Sequence, residues 1–339
     1  MNKVMLIGAV LPSFFLAYMI YRVDRFKEPI GKFLLAFLIG AFSPLVTLLF
    51  SGFFAGVFPV ESNAWMLALL GAGVPEELGR FLLLLLICKF WNEVDEPFDC
   101  VVYAGALWAG FAAVENVLYA AQDLAQGGSA LPIIAMRAAL CSTGHTAWGV
   151  IVGAYVGMAM FSREGKVAWA LQGLGIAIAL HTIYDGLLFS VNGGASIVNL
   201  FLALAVDGFT LVLAVLIVRR MGRIQKFSQG EGRDLMVQVR LMRRFRPDRS
   251  EGLGHMVTGL GFLGLLQVLL FLFFASATYF SLMQVASSQW LNLPAGFVTG
   301  WLSWVTWRAL SRRIELTEVA DASALEAQAA VTNSVDPSA

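Results

Sequence analysis

The chain has 339 residues, 58% of them hydrophobic and only 14% charged, and its 23 lysines and arginines balance 23 acidic residues. Soluble domains carry about a quarter charged residues, so a mean hydropathy of +0.75 excludes an ordinary soluble fold. The zero net charge leaves no basic footprint for nucleic acid, and Cys88, Cys100 and Cys141 lack the spacing of a disulfide framework.

The apolar residues come in blocks near the roughly 20 that a helix needs to cross a bilayer. In chain order the expected spans are 4–21, 33–58, 65–90, 100–121, 131–161, 167–190, 196–218, 256–285 and 294–310. The first has no basic flank or small-residue cleavage site, so it reads as a retained helix. Arg22, Arg25, Lys27 and Lys32 follow span one, whereas 59–63 carries no lysine or arginine. The alternation continues with Lys89, with Arg163 and Lys166, and with the basic loop 219–255. Positive loops stay inside, which predicts an all-α polytopic bundle of about nine transmembrane helices, N-terminus outside and C-terminus cytoplasmic. The loop with Glu93, Asp95, Glu96 and Asp99 breaks the pattern by being acidic.

The expected organisation is a bundle over 1–218, a basic cytoplasmic loop over 219–255, two further helices within 256–313, and a disordered cytoplasmic tail over 314–339. In the basic loop Leu235, Met236, Val239 and Met242 share one helical face between arginines, a pattern suited to an anionic lipid surface. A plain cytoplasmic hairpin reads equally well there.

A charge at mid-bilayer costs about 2.5–3.5 kcal/mol, so each one in a span needs a reason. Span three has Glu76, Glu77 and Arg80, span four Glu115 and Asn116, span five Arg137 and His145, span six His181 and Asp185, span seven Asp207. At 1.5 Å per residue, Glu76 lies about 16 Å, His181 about 14 Å, Glu115 about 9 Å and Asp185 about 8 Å below the outer ends of their spans. His145 lies about 12–21 Å down by the same rise. One polar site open toward the outside accounts for all of them. Arg80 is within reach of both glutamates, and adjacent glutamates point about 100° apart, so one can pair with it while the other faces the site. Asp185, four residues after His181, is placed to fix that ring's tautomer. Gly71, Gly73 and Pro75 predict a broken span three, and Gly149, Gly153 and Gly157 a face for close helix contact. Singly, each charge also reads as an inert ion pair or a packed histidine; His255, at the edge of span eight, reads as incidental.

Glu76-Glu77-x-x-Arg80, Phe111-x-x-x-Glu115-Asn116, His145 and His181-x-x-x-Asp185 together resemble the PrsW family of intramembrane proteases, relatives of the type II CAAX prenyl endopeptidases and the Abi/CPBP group. Arg80 stands where lysine is frequent in that pattern, which keeps the charge. The resemblance covers about 30–220 and implies cleavage of a membrane-tethered protein near the outer face of a bacterial plasma membrane, as in first-site cleavage of an anti-sigma factor. It implies Glu76, Glu77, Glu115, His145 and His181 as catalytic residues, with Arg80, Asn116 and Asp185 supporting them.

The chemistry expected is peptide hydrolysis by an activated water, with Glu76 or Glu77 as general base. His145 and His181 either polarise the carbonyl or, with Glu115, hold a divalent metal such as zinc. His-Glu-x-x-His is absent from the sequence, so the metal stays open, and no serine elbow accompanies the histidines. Expected partners are a single-pass membrane protein and lipid. The rival reading is a proton- or cation-coupled transporter using the same groups, whose charges would spread over both halves of the membrane. A catalytically silent receptor or immunity protein is a second rival.

Overall fold

The computed structural model describes residues 1–162, 166–192, 198–228, 299–304, 306 and 308. The expected span 256–285, most of 294–310, the face from Leu235 to Met242, His255 and the tail from Ile314 lie outside the described residues. Among those described every regular element is helical.

Helix α1 (Lys3–Val23) starts where Asn2 Oδ1 accepts the Met5 N–H at 2.9 Å, filling one of the orphan donors of a helix N-terminus. Helices α2 (Ile30–Phe42) and α3 (Pro44–Val57) form one apolar run bent at Ser43-Pro44, because proline supplies no N–H to the preceding turn. Asn63 Oδ1 opens the short α4 (Ala64–Met66) by accepting two backbone N–H groups, each at 3.0 Å. The chain then passes through a π-helical stretch, Leu67–Gly73, into α5 (Val74–Phe90). The break expected near Gly71–Pro75 is thus a wide turn of helix, a form frequent at functional sites.

A capping box of Glu96 and Asp99 starts α6 (Pro97–Ala125), the central helix. Helices α7 (Leu131–Ala139) and α8 (Cys141–Phe161) meet at a bend at Leu140, followed by α9 (Lys166–Asn192) and α10 (Val198–Ser228). Five stretches are long and apolar enough to cross a membrane: Lys3–Val23, Ile30–Val57, Pro97–Ala125, Lys166–Val191 and Val198–Gln225. They coincide with five of the nine expected spans. On α3 only Thr47 is buried, and Leu45, Leu48, Leu49 and Phe53 stand exposed, as a lipid-facing surface requires.

Small residues let the helices close on α6. A Cβ at Gly153 would sit 2.5 Å from the Cys100 carbonyl oxygen, and one at Gly157 2.5 Å from that of Pro97. On the α2 side, Gly40 and Gly110 press against the Leu107 and Phe37 carbonyls, inside contact distance for any added methyl. Association in lipid depends on such close packing, since burial from lipid adds no hydrophobic gain. Gly110→Ala is expected to cost about 1–3 kcal/mol through overpacking, whereas Gly56→Ala, with nothing within 4 Å of the added carbon, costs nothing. Thermal unfolding in detergent checks this; equal midpoints for the two variants would contradict it.

Candidate active site

The first turns of α5 place Glu76, Glu77 and Arg80 on neighbouring faces. Arg80 is wholly buried. Its Nη2 donates to Glu77 Oε1 at 2.7 Å and to Glu76 Oε2 at 3.3 Å, and its Nε donates to the Glu76 carbonyl at 3.1 Å. Nη1 donates to His145 Nδ1 at 3.0 Å. The guanidinium lies 3.9 Å from the Phe111 ring centre and 5.5 Å from that of Trp108. One cation therefore ties α5 to α6 and α8.

Glu77 is held on every side. Oε1 accepts from Arg80 and from His181 Nδ1 at 2.9 Å, and Oε2 accepts from Trp108 Nε1 at 2.8 Å. Glu76 is bound more loosely: its Oε2 is 3.8 Å from His181 Nε2, and its side chain is 14% exposed. The two adjacent glutamates thus divide the roles, one fixed against Arg80 and one facing the site.

Arginine carries only donors, so the His145 nitrogen facing Arg80 is an acceptor. The other, Nε2, contacts Glu115 Oε2 at 2.9 Å. Glu115 also meets Arg137 Nη2 at 2.7 Å as an ion pair. Asn116 lies behind this pair: its Oδ1 accepts from Arg137 Nε at 3.1 Å, and its Nδ2 donates to Ser142 Oγ and the Ala9 carbonyl. On α9, His181 gives Nδ1 to Glu77 and turns Nε2 to Asp185 Oδ2 at 3.2 Å. The His145 and His181 ring centres are 5.1 Å apart, and Trp148 stacks on His181 at 4.3 Å. Asp207 on α10 accepts from Thr143 Oγ1 at 3.0 Å and lies against Gly144, one residue from His145.

All eight residues singled out in the sequence therefore fall in one network, with Asn116 at one remove. Trp108, Trp148 and Arg137 were not among them. Arg137 carried a signal, a charge in an apolar span; the two tryptophans carried none, because an indole in a membrane helix costs nothing that marks it.

The arrangement also bears on a metal ion. One donor atom each from Glu76, His145 and His181 lie within 4.8 Å of one another. His181 has the habit of a ligand, one nitrogen donating to a carboxylate and the other turned inward. Its inward nitrogen faces Glu76 and Asp185, three groups with lone pairs and no donor between them unless a proton or cation is there. Four carboxylates, Glu76, Glu77, Glu115 and Asp185, meet two guanidiniums and leave two negative charges to be balanced. Two imidazoles and a carboxylate suit zinc, so a divalent metal fits where a His145 nitrogen exchanges its contact with Arg80 or Glu115 for the ion. The third donor in this set is Glu76, with Glu115 one bond further out, against His145.

Two histidines ringed by carboxylates thus lie buried in a chain with five stretches long and apolar enough to cross a membrane. Known proteins give it a family. The sequence model described as PrsW family intramembrane metalloprotease matches residues 28–218, and the chain belongs to that family. It is 28% identical over 196 residues to Protease PrsW of Geobacillus kaustophilus (strain HTA426), covering 58% of this chain and 82% of that one. To Protease PrsW of Shouchella clausii (strain KSM-K16) it is 27% identical over 228 residues, 66% of this chain and 98% of the other. Against Protease PrsW of Bacillus subtilis (strain 168) the figures are 27% over 187 residues, 55% and 83%. No solved structure matches the chain. The protein is accordingly a peptidase and a bacterial multi-pass membrane protein.

Removing one partner from a buried charge network strands the others, at about 3–5 kcal/mol. Arg80→Gln is expected to lower stability by that order in chemical or thermal unfolding, and Arg80→Lys by less. Wild-type stability for Arg80→Gln would contradict the network.

Proposed function

We propose that the chain hydrolyses a peptide bond of a membrane-tethered protein near the outer membrane face, with Glu76, His145 and His181 as the groups that meet water and substrate. The observation that carries this reading is His181, clamped through Nδ1 by the fixed Glu77 and turned through Nε2 toward the loosely held Glu76. Two oriented imidazoles beside one loosely held carboxylate suit acid–base hydrolysis.

Glu76 takes a proton from the attacking water as its oxygen adds to the scissile carbonyl carbon. The same carboxyl returns that proton to the nitrogen as the C–N bond breaks, leaving a new carboxylate and a new amine. Glu77, with both oxygens engaged, orients His181 and does not exchange protons. Glu115 and Arg137 hold His145, and Asn116 holds Arg137. A divalent metal held by His145 and His181 would supply Lewis-acid polarisation of the carbonyl and a more acidic water, with Glu76 either its third ligand or the base. Glu76, Glu115 and Asp185 are the least buried members, 14–18% exposed at their side chains, and form the edge by which a substrate backbone enters.

In this reading nine crossings, with the N-terminus outside and the C-terminus in the cytoplasm of a bacterial plasma membrane, put that edge in the outer half of the bilayer. Outward placement suits first-site cleavage of an extracytoplasmic segment, and an anti-sigma factor is the substrate class proposed. A coupled transporter is the weaker reading, because the family match is to proteases and these charges gather in one network.

The test compares new N-termini of single-pass membrane proteins in cells making wild type or Glu76→Gln at equal levels. A few proteins clipped just outside the membrane only with wild type are expected, and an anti-sigma factor among them. Identical profiles, with the variant inserted and folded, would contradict the reading. Asp185→Asn is expected to keep activity but lower it about 10–100-fold, through loss of the carboxylate beside the inward His181 nitrogen.

A further inference from the structure

Where the acidic loop enters α6, Asp99 joins Asp24 and Glu28 in a second buried carboxylate cluster. Along the single helix α6, Asp99 lies sixteen residues before Glu115, about 24 Å at 1.5 Å per residue, so the cluster is at the opposite end of the bundle from the protease site. Asp24 and Glu28 come from the α1–α2 connection and Asp99 from the first turn of α6; all three are buried. One oxygen from each lies within 4.8 Å of the others.

Each carboxylate is anchored by one oxygen. Asp24 Oδ1 accepts from the Phe26 N–H at 3.0 Å and from Gln225 Nε2 of α10 at 2.8 Å. Asp99 Oδ2 accepts from the Asp95 and Glu96 N–H groups at 2.9 and 2.7 Å. Glu28 Oε2 accepts from the Tyr103 hydroxyl. The second oxygens differ: Asp24 Oδ2 and Asp99 Oδ1 are buried with no hydrogen-bond partner among the described residues. Lys27 Nζ donates to the Tyr21 and Arg22 carbonyls at 2.8 Å, and to that of Asp24, at the end of α1, rather than to these carboxylate oxygens. Burial pushes the Glu28 carboxyl above its ordinary range, with Asp24 and Asp95 adding repulsion.

We infer that Asp24, Glu28 and Asp99 form a binding site for a hard divalent cation, Mg2+ or Ca2+. Oriented carboxylates with unsatisfied oxygens and no imidazole or thiolate are the donor set of those ions, and of neither zinc nor iron. An ion there ties the α1–α2 connection to the start of α6, and through Gln225 to α10. The ion would then supply counter-charge to Asp99, one of the four acidic residues of that loop. The inference does not depend on the mechanism proposed for Glu76, His145 and His181.

Terbium tests it, as a hard ion whose emission is sensitised by nearby aromatic rings. Tyr103 bonds Glu28, and the Trp91 ring lies 4.9 Å from that of Tyr103. Purified full-length protein in detergent is titrated with Tb3+, then back-titrated separately with Mg2+ and with Ca2+. Saturable emission is expected, reversed by one of the two ions at lower concentration, which identifies the physiological ligand class. Asp24→Asn/Asp99→Asn should raise the half-saturating Tb3+ concentration about tenfold or more, because affinity follows ligand charge. Trp91→Phe should dim the emission without moving half-saturation, a result independent of whether the double variant folds. His181→Ala should leave the signal in place. The inference is overturned if no saturable emission appears, as for a cluster balanced by protons alone. It is equally overturned if the signal survives Trp91→Phe undimmed and vanishes in His181→Ala, which would put the ion in the protease site.

Discussion

A guanidinium with no exposed surface, held between helices that carry few other charges, is the constraint on which the site depends. Arg80 meets Glu76, Glu77 and His145 at once and lies against Phe111. Each of those groups in turn fixes another: Glu77 fixes His181, His145 meets Glu115, and Glu115 meets Arg137. Charges far from water have few alternative partners, so the network has little freedom to rearrange. Rigidity of that kind is what pre-organised catalysis asks for. It also explains the division between adjacent glutamates. One is consumed in holding the cation and the imidazole; the other is left with an open side.

The backbone is built to allow this. Glycines on α8 and α2 bring those helices onto α6 at backbone contact, which sets the spacing of His145 and Glu115 across the α6–α8 seam. The π-helical stretch before α5 shifts the register ahead of Pro75, and Gly73 in it lies against Thr182 of α9, next to His181. A Cβ there would fall 2.4 Å from Thr182 Oγ1, so the close approach to α9 beside His181 depends on glycine. Packing and chemistry are thus specified by the same few positions.

Much of the site was legible in the sequence because a charge in an apolar span is expensive and therefore conspicuous. Glu76, Glu77, Arg80, Glu115, His145, His181 and Asp185 all announced themselves that way, and their estimated depths already overlapped. The pairings were less legible. Four carboxylates and two histidines at similar depth permit several matchings, and only the rotation of α5 and α6 about their axes decides that Glu77 takes Arg80 while Glu115 takes Arg137. Trp108 and Trp148 gave no signal, being apolar enough for any membrane helix. The second carboxylate cluster was visible only as an irregular charge pattern, since Asp24 and Glu28 are some seventy residues from Asp99 and nothing local links them. Seven of the expected spans fall on helices or bent helix pairs, five of them long and apolar enough to cross a membrane; of the three bent pairs, α4–α5 and α7–α8 carry Glu76, Arg80 and His145.

In the proposed function Glu76, His145 and His181 are the face that holds a metal and activates water, and Glu77 and Glu115 orient the two histidines. Metal content per chain, measured by mass spectrometry on protein purified without chelator, tests it most directly. Wild type should carry one zinc-class ion that His145→Ala and His181→Ala lose and Glu77→Gln retains in part. Glu76→Gln decides between its two tasks: an ion kept with activity gone marks it as the base, an ion lost marks it as a ligand. An ion bound equally by wild type and by the His145→Ala/His181→Ala double variant would contradict the account.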